Sequence, residues 1–344
     1  MPGLQMGIDF GTAMLQICVA GKHRRLAEPS VMVCDADSGK PLAIGSSAVE
    51  MVGRTPSSLK SVYPLRNGMI DNLEAAQQLL RPYITLLCGN RMFKPSVLFS
   101  VPSAATRNEK RAWMSVLTDC GVGRASFIEK PLAAAIGAGE DCFSPGGVLC
   151  VEIGAGCTDA ALLSVGSVCL SASSRVGGNS MTESIRQYIS HARGVEVGFL
   201  TAEYIKKQVG CAIRREAEVA VLVNGKEVQT GMPVNIEITS TEVYWVLRSD
   251  LKALHETIQQ LLENAQNEQI ADVMKNGILL TGGGALLYGI DTWLSEQLSM
   301  PVRVAEDPQS AVIRGIEKVL QSGGKLFESE YVYLASQSFG EERK

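Results

Sequence analysis

Histidine is almost missing from this chain, three residues in 344, and no Cys-x-x-Cys pair accompanies His23, His191 or His255. A zinc site, which needs closely placed nitrogen and sulfur ligands, is excluded on that ground. Also missing is any window of about 18 uninterrupted apolar residues, the length a membrane-spanning helix requires. The segment from Met1 to Phe10 has no positively charged start and reaches Asp9 before an apolar run is long enough for a signal peptide. Dense basic runs are absent, and the net charge of −4 argues against a nucleic-acid partner, because phosphate backbones are held by clustered Lys and Arg. The nine cysteines are odd in number and lack paired spacing, which fits reduced thiols in a cytosol better than a disulfide frame.

What is present is ordinary for a globular protein, 46% hydrophobic and 20% charged residues, in a chain long enough for two domains. One stretch stands out. Gly147-Val-Leu-Cys-Val-Glu-Ile-Gly-Ala-Gly-Cys-Thr-Asp159 reads as a buried strand ending in an acid, a small-residue turn and a second apolar run to Val165. Gly154 and Gly156 leave backbone N–H groups open to an anion such as phosphate, and Glu152 can hold a metal's water shell. Ile8-Asp-Phe-Gly-Thr-Ala-Met14 repeats the plan against Val151 to Cys157, each with an acid two residues before a glycine. Two such hairpins suggest a duplicated domain gripping one nucleotide from both sides.

Between them the chain alternates strand and helix, which argues for mixed α/β sheets with helices on their faces. The pattern predicts a strand over 26–34, a capped helix opening at Ser103 and Thr106, and a small-residue helix after Pro131. Further on it predicts a hairpin turning at Asn224-Gly225 and one long helix from Val243 to Ala265. Gly277 to Leu287 reads as a strand, a glycine turn and a helix start, which admits a base or ribose against bare backbone.

These motifs, with Glu28-Pro-Ser-Val, Gly53-Arg-Thr-Pro, Val101-Pro-Ser, Ile128-Glu-Lys-Pro-Leu-Ala-Ala-Ala-Ile-Gly-Ala-Gly, Arg175-Val-Gly-Gly, Thr201-Ala-Glu, Leu280-Thr-Gly-Gly-Gly-Ala-Leu-Leu and Pro301-Val-Arg-Val-Ala-Glu-Asp-Pro, closely resemble the MreB family of bacterial actin homologues. The match is collinear over residues 5–320. It implies an α/β, actin-like ATPase fold, two ribonuclease-H-like lobes with inserted subdomains around a nucleotide cleft. Residues 1–31, 68–140 and 305–330 then form the first lobe's core and 32–67 its inserted subdomain. Residues 141–180 and 240–304 form the second core, 181–239 its insertion and 331–344 a tail.

The resemblance further implies ATP or ADP with Mg²⁺ in the cleft and head-to-tail filaments that guide cell-wall synthesis and cell shape. It implies a cytoplasmic protein, peripheral at the inner face of the plasma membrane, whose partners are itself or an MreB paralogue and the cell-wall machinery. Carried over by position, Gly11, Thr12, Ala13 and Met14 form the first phosphate loop, and Gly154, Gly156 and Cys157 the second, with Gly178 joining the nucleotide-binding set. Glu203 and Lys206 face the ribose and base, Gly282, Gly283, Gly284 and Ala285 hold the adenosine, and Asp9 and Glu152 order the magnesium's waters. Met92 and Phe93, between Arg91 and Lys94, match a membrane-inserting loop.

This chain departs from the family where ATP would be cleaved. Lys130 replaces the glutamate that positions the attacking water, and an ammonium has donors but no acceptor. Cys157 replaces a threonine, Glu152 an aspartate, Asn179 an acid and Met14 an asparagine. The expectation is therefore weak or absent hydrolysis, with Lys130 free to pair with the γ-phosphate. Two other readings remain open: a non-polymerising paralogue that co-assembles with a competent family member, and a sugar-kinase-like phosphotransferase, against which the chain length and the Glu28-Pro-Ser-Val motif speak.

Overall fold

The computed structural model describes residues 4–54, 56–89 and 93–323, apart from the side chains of 23 and 24. The chain begins with an antiparallel meander, β1 (Gln5–Phe10), β2 (Met14–Val19) and β3 (Lys22–Pro29). The predicted strand over 26–34 is two elements. Ser30 is buried, its N–H donates to Ala13 O at 2.8 Å and its hydroxyl to Gly11 O at 2.7 Å, so the chain leaves the first sheet there. A second small sheet follows, β4 (Met32–Asp35) between β5 (Pro41–Ile44) and β6 (Leu59–Val62), with α1 (Ser46–Val49) packed on it. The short hairpin β7 (Leu65–Arg66) and β8 (Met69–Ile70) leads to α2 (Leu73–Cys88).

The chain returns to the first sheet as β9 (Ser96–Val101), parallel to β1, and then through α3 (Arg107–Asp119) to β10 (Arg124–Glu129), parallel to β9. A capping box between Thr106 and Glu109 starts α3 where the sequence predicts it. Helix α4 (Lys130–Ala138) carries the chain across to a second meander, β11 (Val148–Ile153), β12 (Thr158–Ser164) and β13 (Ser167–Ser174). Then come α5 (Gly178–Arg193), β14 (Val195–Glu196), α6 (Phe199–Val209) and the hairpin β15 (Ala220–Glu227) and β16 (Pro233–Thr239).

That hairpin exists, but Asn224 and Gly225 lie inside it, opposite Asn235 and Val234, and the turn falls at 228–232. Gly225 is bare because β14, paired beside β15, packs close to it: a β-carbon there would stand 2.3 Å from Val195 Cγ1. The predicted long helix is also two, α7 (Ser240–Val246) and α8 (Arg248–Glu263). Val243, Leu247, Leu251, Leu254 and Ile258 keep one buried stripe across the break, so apolar periodicity runs straight through it. The chain ends its second sheet with α9 (Asn267–Asn276), β17 (Ile278–Thr281), α10 (Ile290–Leu298), β18 (Val302–Val304) and α11 (Ala311–Gln321), β17 being parallel to β11 and β18 to β17.

The strand orders are β3-β2-β1-β9-β10 and β13-β12-β11-β17-β18, the same connectivity twice. Central strands β1 and β11 are buried, Gln5 apart, because both faces are covered, and each carries one acid, Asp9 or Glu152, among its apolar residues. Helices α4 and α11 share one core with both sheets, including Cys18 and Leu98 from the first and Cys150, Leu163 and Leu279 from the second. Their small residues let the backbones touch. Lys318 on α11 also donates to the Ile136 and Gly137 carbonyls at 2.8 and 3.2 Å, satisfying the end of α4.

Candidate functional site

The duplication reaches individual hydrogen bonds at the turns that follow β1 and β11. Gly11 N–H donates to Met14 O at 2.8 Å, and at the equivalent place Gly154 N–H donates to Cys157 O at 2.9 Å, so the Gly154 N–H is closed within its own turn and is not open to an anion as the sequence suggests. The two turns face each other across the molecule. A β-carbon on Gly156 would lie 2.3 Å from Thr12 Oγ1, so only glycine allows the approach. Between them sits a turn whose role the sequence reading missed: Asn67 and Gly68 join β7 to β8 with φ of 51 and 78°. Gly68 N–H donates to Thr12 Oγ1 at 3.0 Å, and a β-carbon on Gly68 would lie 2.6 Å from Cys157 Sγ. Asn-Gly between two short strands was the available signal.

The start of α5 closes on the second turn. Gly178 N–H donates to Gly154 O at 2.9 Å and Asn179 N–H to Ala155 O at 2.7 Å. From α6, Lys206 Nζ reaches the same place, donating to Gly178 O at 2.7 Å, Thr182 Oγ1 at 2.9 Å and Glu203 Oε2 at 2.6 Å. Burial alone would raise the Glu203 pKa, but the Lys206 ammonium and the Thr182 hydroxyl hold it below the ordinary glutamate value. Burial also pulls Lys206 below the ordinary lysine value, despite Glu203 beside it.

At the end of β17, Gly282 has φ of 80° and a β-carbon there would meet Ile153 O at 2.4 Å. Gly284 is equally tight against Ile153 Cγ2, at 2.2 Å. Packing against β11 therefore accounts for two of these glycines. Gly283 faces nothing closer than Gln309 Nε2 at 3.5 Å, and Ala285 is buried. The glycine turn, the second hairpin and the start of α5 stand around one strand end, that of β11.

Below the hairpins lies a buried charged cluster. Asp9 is the last residue but one of β1, Glu152 the last but one of β11 and Lys130 the first of α4, and the three side chains are almost wholly enclosed, their residues 8, 7 and 8% exposed. Lys130 Nζ lies 3.0 Å from Asp9 Oδ1, which also accepts from Ser100 Oγ at 2.6 Å. Burial by itself would lower the lysine pKa, but Asp9 and Glu152 together hold it above the ordinary value, so the ammonium is charged. Burial pushes Glu152 up to about 7, an effect that Lys130 partly offsets. Burial likewise pushes the Cys157 thiol up to about 12, so it is a neutral thiol at physiological pH.

Asp159, beside this cluster, is a buried acid that the sequence reading did not assign. It faces Glu152 across the β11–β12 ladder, accepts from Ser103 N–H at 3.2 Å and from the Ser173 hydroxyl, and so ties β12 to the loop after β9. Burial raises its pKa above the ordinary aspartate value.

A magnesium ion does not fit this arrangement. Asp9 already binds an ammonium and a hydroxyl, and a divalent cation at its free edge would face a like charge in a poorly solvated place. Among the described residues no group of three or more His, Cys, Asp or Glu is placed to hold a metal. Of the expected membrane pair, Met92 lies outside the described residues and Phe93 is 62% exposed.

Two sheets of one connectivity, joined by a shared helix pair with equivalent hairpins meeting between them, make this an actin-like fold. The chain belongs to the MreB/Mbl family, whose model, described as MreB/Mbl protein, matches residues 3–327. Cell shape-determining protein Mbl of Bacillus subtilis (strain 168) is 37% identical over 322 residues, 93% of this chain and 97% of its own length. Cell shape-determining protein MreB of Escherichia coli (strain K12) is 36% identical over 335 residues, 94% of this chain and 96% of its own. The crystal structure of MreB5 of Spiroplasma citri bound to ADP superposes with a TM-score of 0.90 at 32% identity, covering 95% of this chain and 99% of that one. The same protein has been crystallised with AMPPNP.

Proposed function

We propose that the protein is a nucleotide-binding, filament-forming cytoskeletal scaffold for cell-wall synthesis and cell shape, with weak or absent ATP hydrolysis. Nucleotide binding is supported by the facing hairpins with matched hydrogen bonds, by Glu203 and Lys206 beside the start of α5, and by the ADP and AMPPNP held by the similar MreB5. The observation that carries the loss of hydrolysis is the Lys130 side chain. It stands at the place of the family's water-positioning glutamate, offers no acceptor, and is bonded to Asp9. Cys157, a neutral thiol, supplies no strong base beside it.

The names of the relatives support the cell-shape role. No described helix is long and apolar enough to cross a membrane, and a peripheral position at the inner face rests on exposed Phe93 with its flanking Lys94. The test is pelleting of the purified chain with ATP, ADP and AMPPNP, followed by electron microscopy. Filaments support a self-assembling scaffold. Their absence under every nucleotide, with assembly only beside a hydrolytically competent MreB, favours a co-assembling paralogue, a reading that the same Lys130 substitution also suits.

A further inference from the structure

The buried ammonium of Lys130 occupies the ground between the two strand ends that carry the cleft's acids. Asp9 and Glu152 are the last residues but one of β1 and β11, equivalent positions of the repeated sheets, and Lys130 enters from the first turn of α4. Its Nζ is 3.0 Å from Asp9 Oδ1, and a β-carbon on Gly11 would stand 3.9 Å from that nitrogen. The charge therefore lies directly beneath the first hairpin, whose backbone N–H groups other than that of Gly11, which Met14 O already accepts, are the proposed phosphate cradle. Ser100 Oγ fixes the same Asp9 oxygen at 2.6 Å, so the carboxylate is held in place for the ammonium from two sides.

Polyphosphate needs positive charge close to its oxygens, and a lysine ammonium supplies it as a compact point charge with several donors. A divalent ion would have to share Asp9 with that ammonium, and like charges a few ångström apart in a buried place repel strongly. From the Lys130–Asp9 pair we infer that Lys130 is the resident cation of the nucleotide site, and that this chain binds adenine nucleotides without a divalent metal. The inference rests on the nucleotide-binding reading above and adds to it the means of charge balance.

Removing the ammonium frees Asp9 and Glu152, so a variant that lacks it should acquire the metal requirement that the wild type lacks. The experiment titrates the full-length protein with a fluorescent ATP analogue, once in excess magnesium and once in excess EDTA. Wild type is expected to bind equally well in both, within about twofold, a difference well under 1 kcal/mol. Lys130→Ala is expected to bind in magnesium and to lose about tenfold or more in affinity in EDTA. Lys130→Arg, which keeps the charge, should remain independent of metal. Wild-type binding seen in magnesium and lost in EDTA overturns the inference while leaving the nucleotide reading intact. Absence of binding in both buffers overturns the nucleotide reading itself, and the inference with it. The wild-type comparison decides the matter even if Lys130→Ala fails to fold.

Discussion

Gly315 on α11 lies so close to Ala133 on α4 that a β-carbon on the glycine would stand 1.7 Å from the alanine carbonyl oxygen. The contact is reciprocal, since a β-carbon on Gly137 would stand 1.8 Å from Ala311 O. Backbone is pressed on backbone in the layer shared by both sheets, so neither helix can yield by turning a side chain aside. Gly315→Ala is expected to cost about 3 kcal/mol, the upper end of ordinary overpacking, read as a clear fall in melting temperature. Gly198→Ala, where nothing lies within 4 Å, is the control and should cost only about 1 kcal/mol or less, the loss of a glycine N-cap of α6. Equal melting temperatures for the two variants would disprove the close helix contact.

The Glu203–Lys206 pair predicts a pH-dependent stability. The folded Glu203 pKa lies below its ordinary 4.5, so the unfolded chain takes up the proton first as pH falls. The stabilisation is therefore complete above pH 4.5 and is lost as pH drops through the lower folded value. Glu203→Ala strands a buried ammonium that also touches Gly178 and Thr182, at a cost of about 2 kcal/mol at neutral pH. Thermal melts of wild type and variant should converge in acid. A gap that stays constant down to the acid limit would assign the loss to packing instead of charge.

Those two sites differ in how far they could be read in advance. The hairpins announce themselves because each is a local signal, an acid, one intervening residue and a glycine between apolar runs, and the Thr106–Glu109 cap is equally local. Leu247 is the opposite case: it continues the apolar stripe, so only its packing at a corner reveals that α7 ends there. Gly225 looks like a turn residue and is a mid-strand position crowded by the neighbouring β14, whose pairing with β15 no local signal reveals. The identity of Lys130 was legible, but its partner was not, because Lys130 is brought to Asp9 by the parallel pairing of β1 with β9 and β9 with β10, which no local signal reveals. The Asn67–Gly68 wedge likewise depends on two hairpins from different sheets arriving together.

Phe93, 62% exposed just before β9, is a large ring with Lys94 beside it. Burying one phenyl ring in the acyl boundary is worth roughly 2 kcal/mol, and the flanking cation adds attraction to anionic lipid. Phe93→Ser combined with Met92→Ser should reduce co-sedimentation with anionic liposomes by about tenfold or more. Unchanged sedimentation would remove this loop as the anchor.

The proposed loss of hydrolysis, if carried by Lys130 and Cys157, should be reversible by substitution at those two side chains. Lys130→Glu puts a carboxylate acceptor at the start of α4, and Cys157→Thr puts a hydroxyl at the end of the second turn, where the thiol now sits against Gly68. A positioned acceptor contributes about a hundredfold or more to proton transfer from an attacking water. The double variant is therefore expected to release phosphate from ATP at least about a hundredfold faster than wild type, and each single variant to gain less, because the two groups act on one water. The Lys130→Glu change also sets a new charge beside Asp9 and Glu152, which burial already holds up to about 7. Magnesium should consequently become obligatory for turnover in the double variant. Wild-type turnover already equal to the double variant, or abolished by Lys130→Ala, would show that Lys130 takes part in hydrolysis and did not replace a residue needed for it.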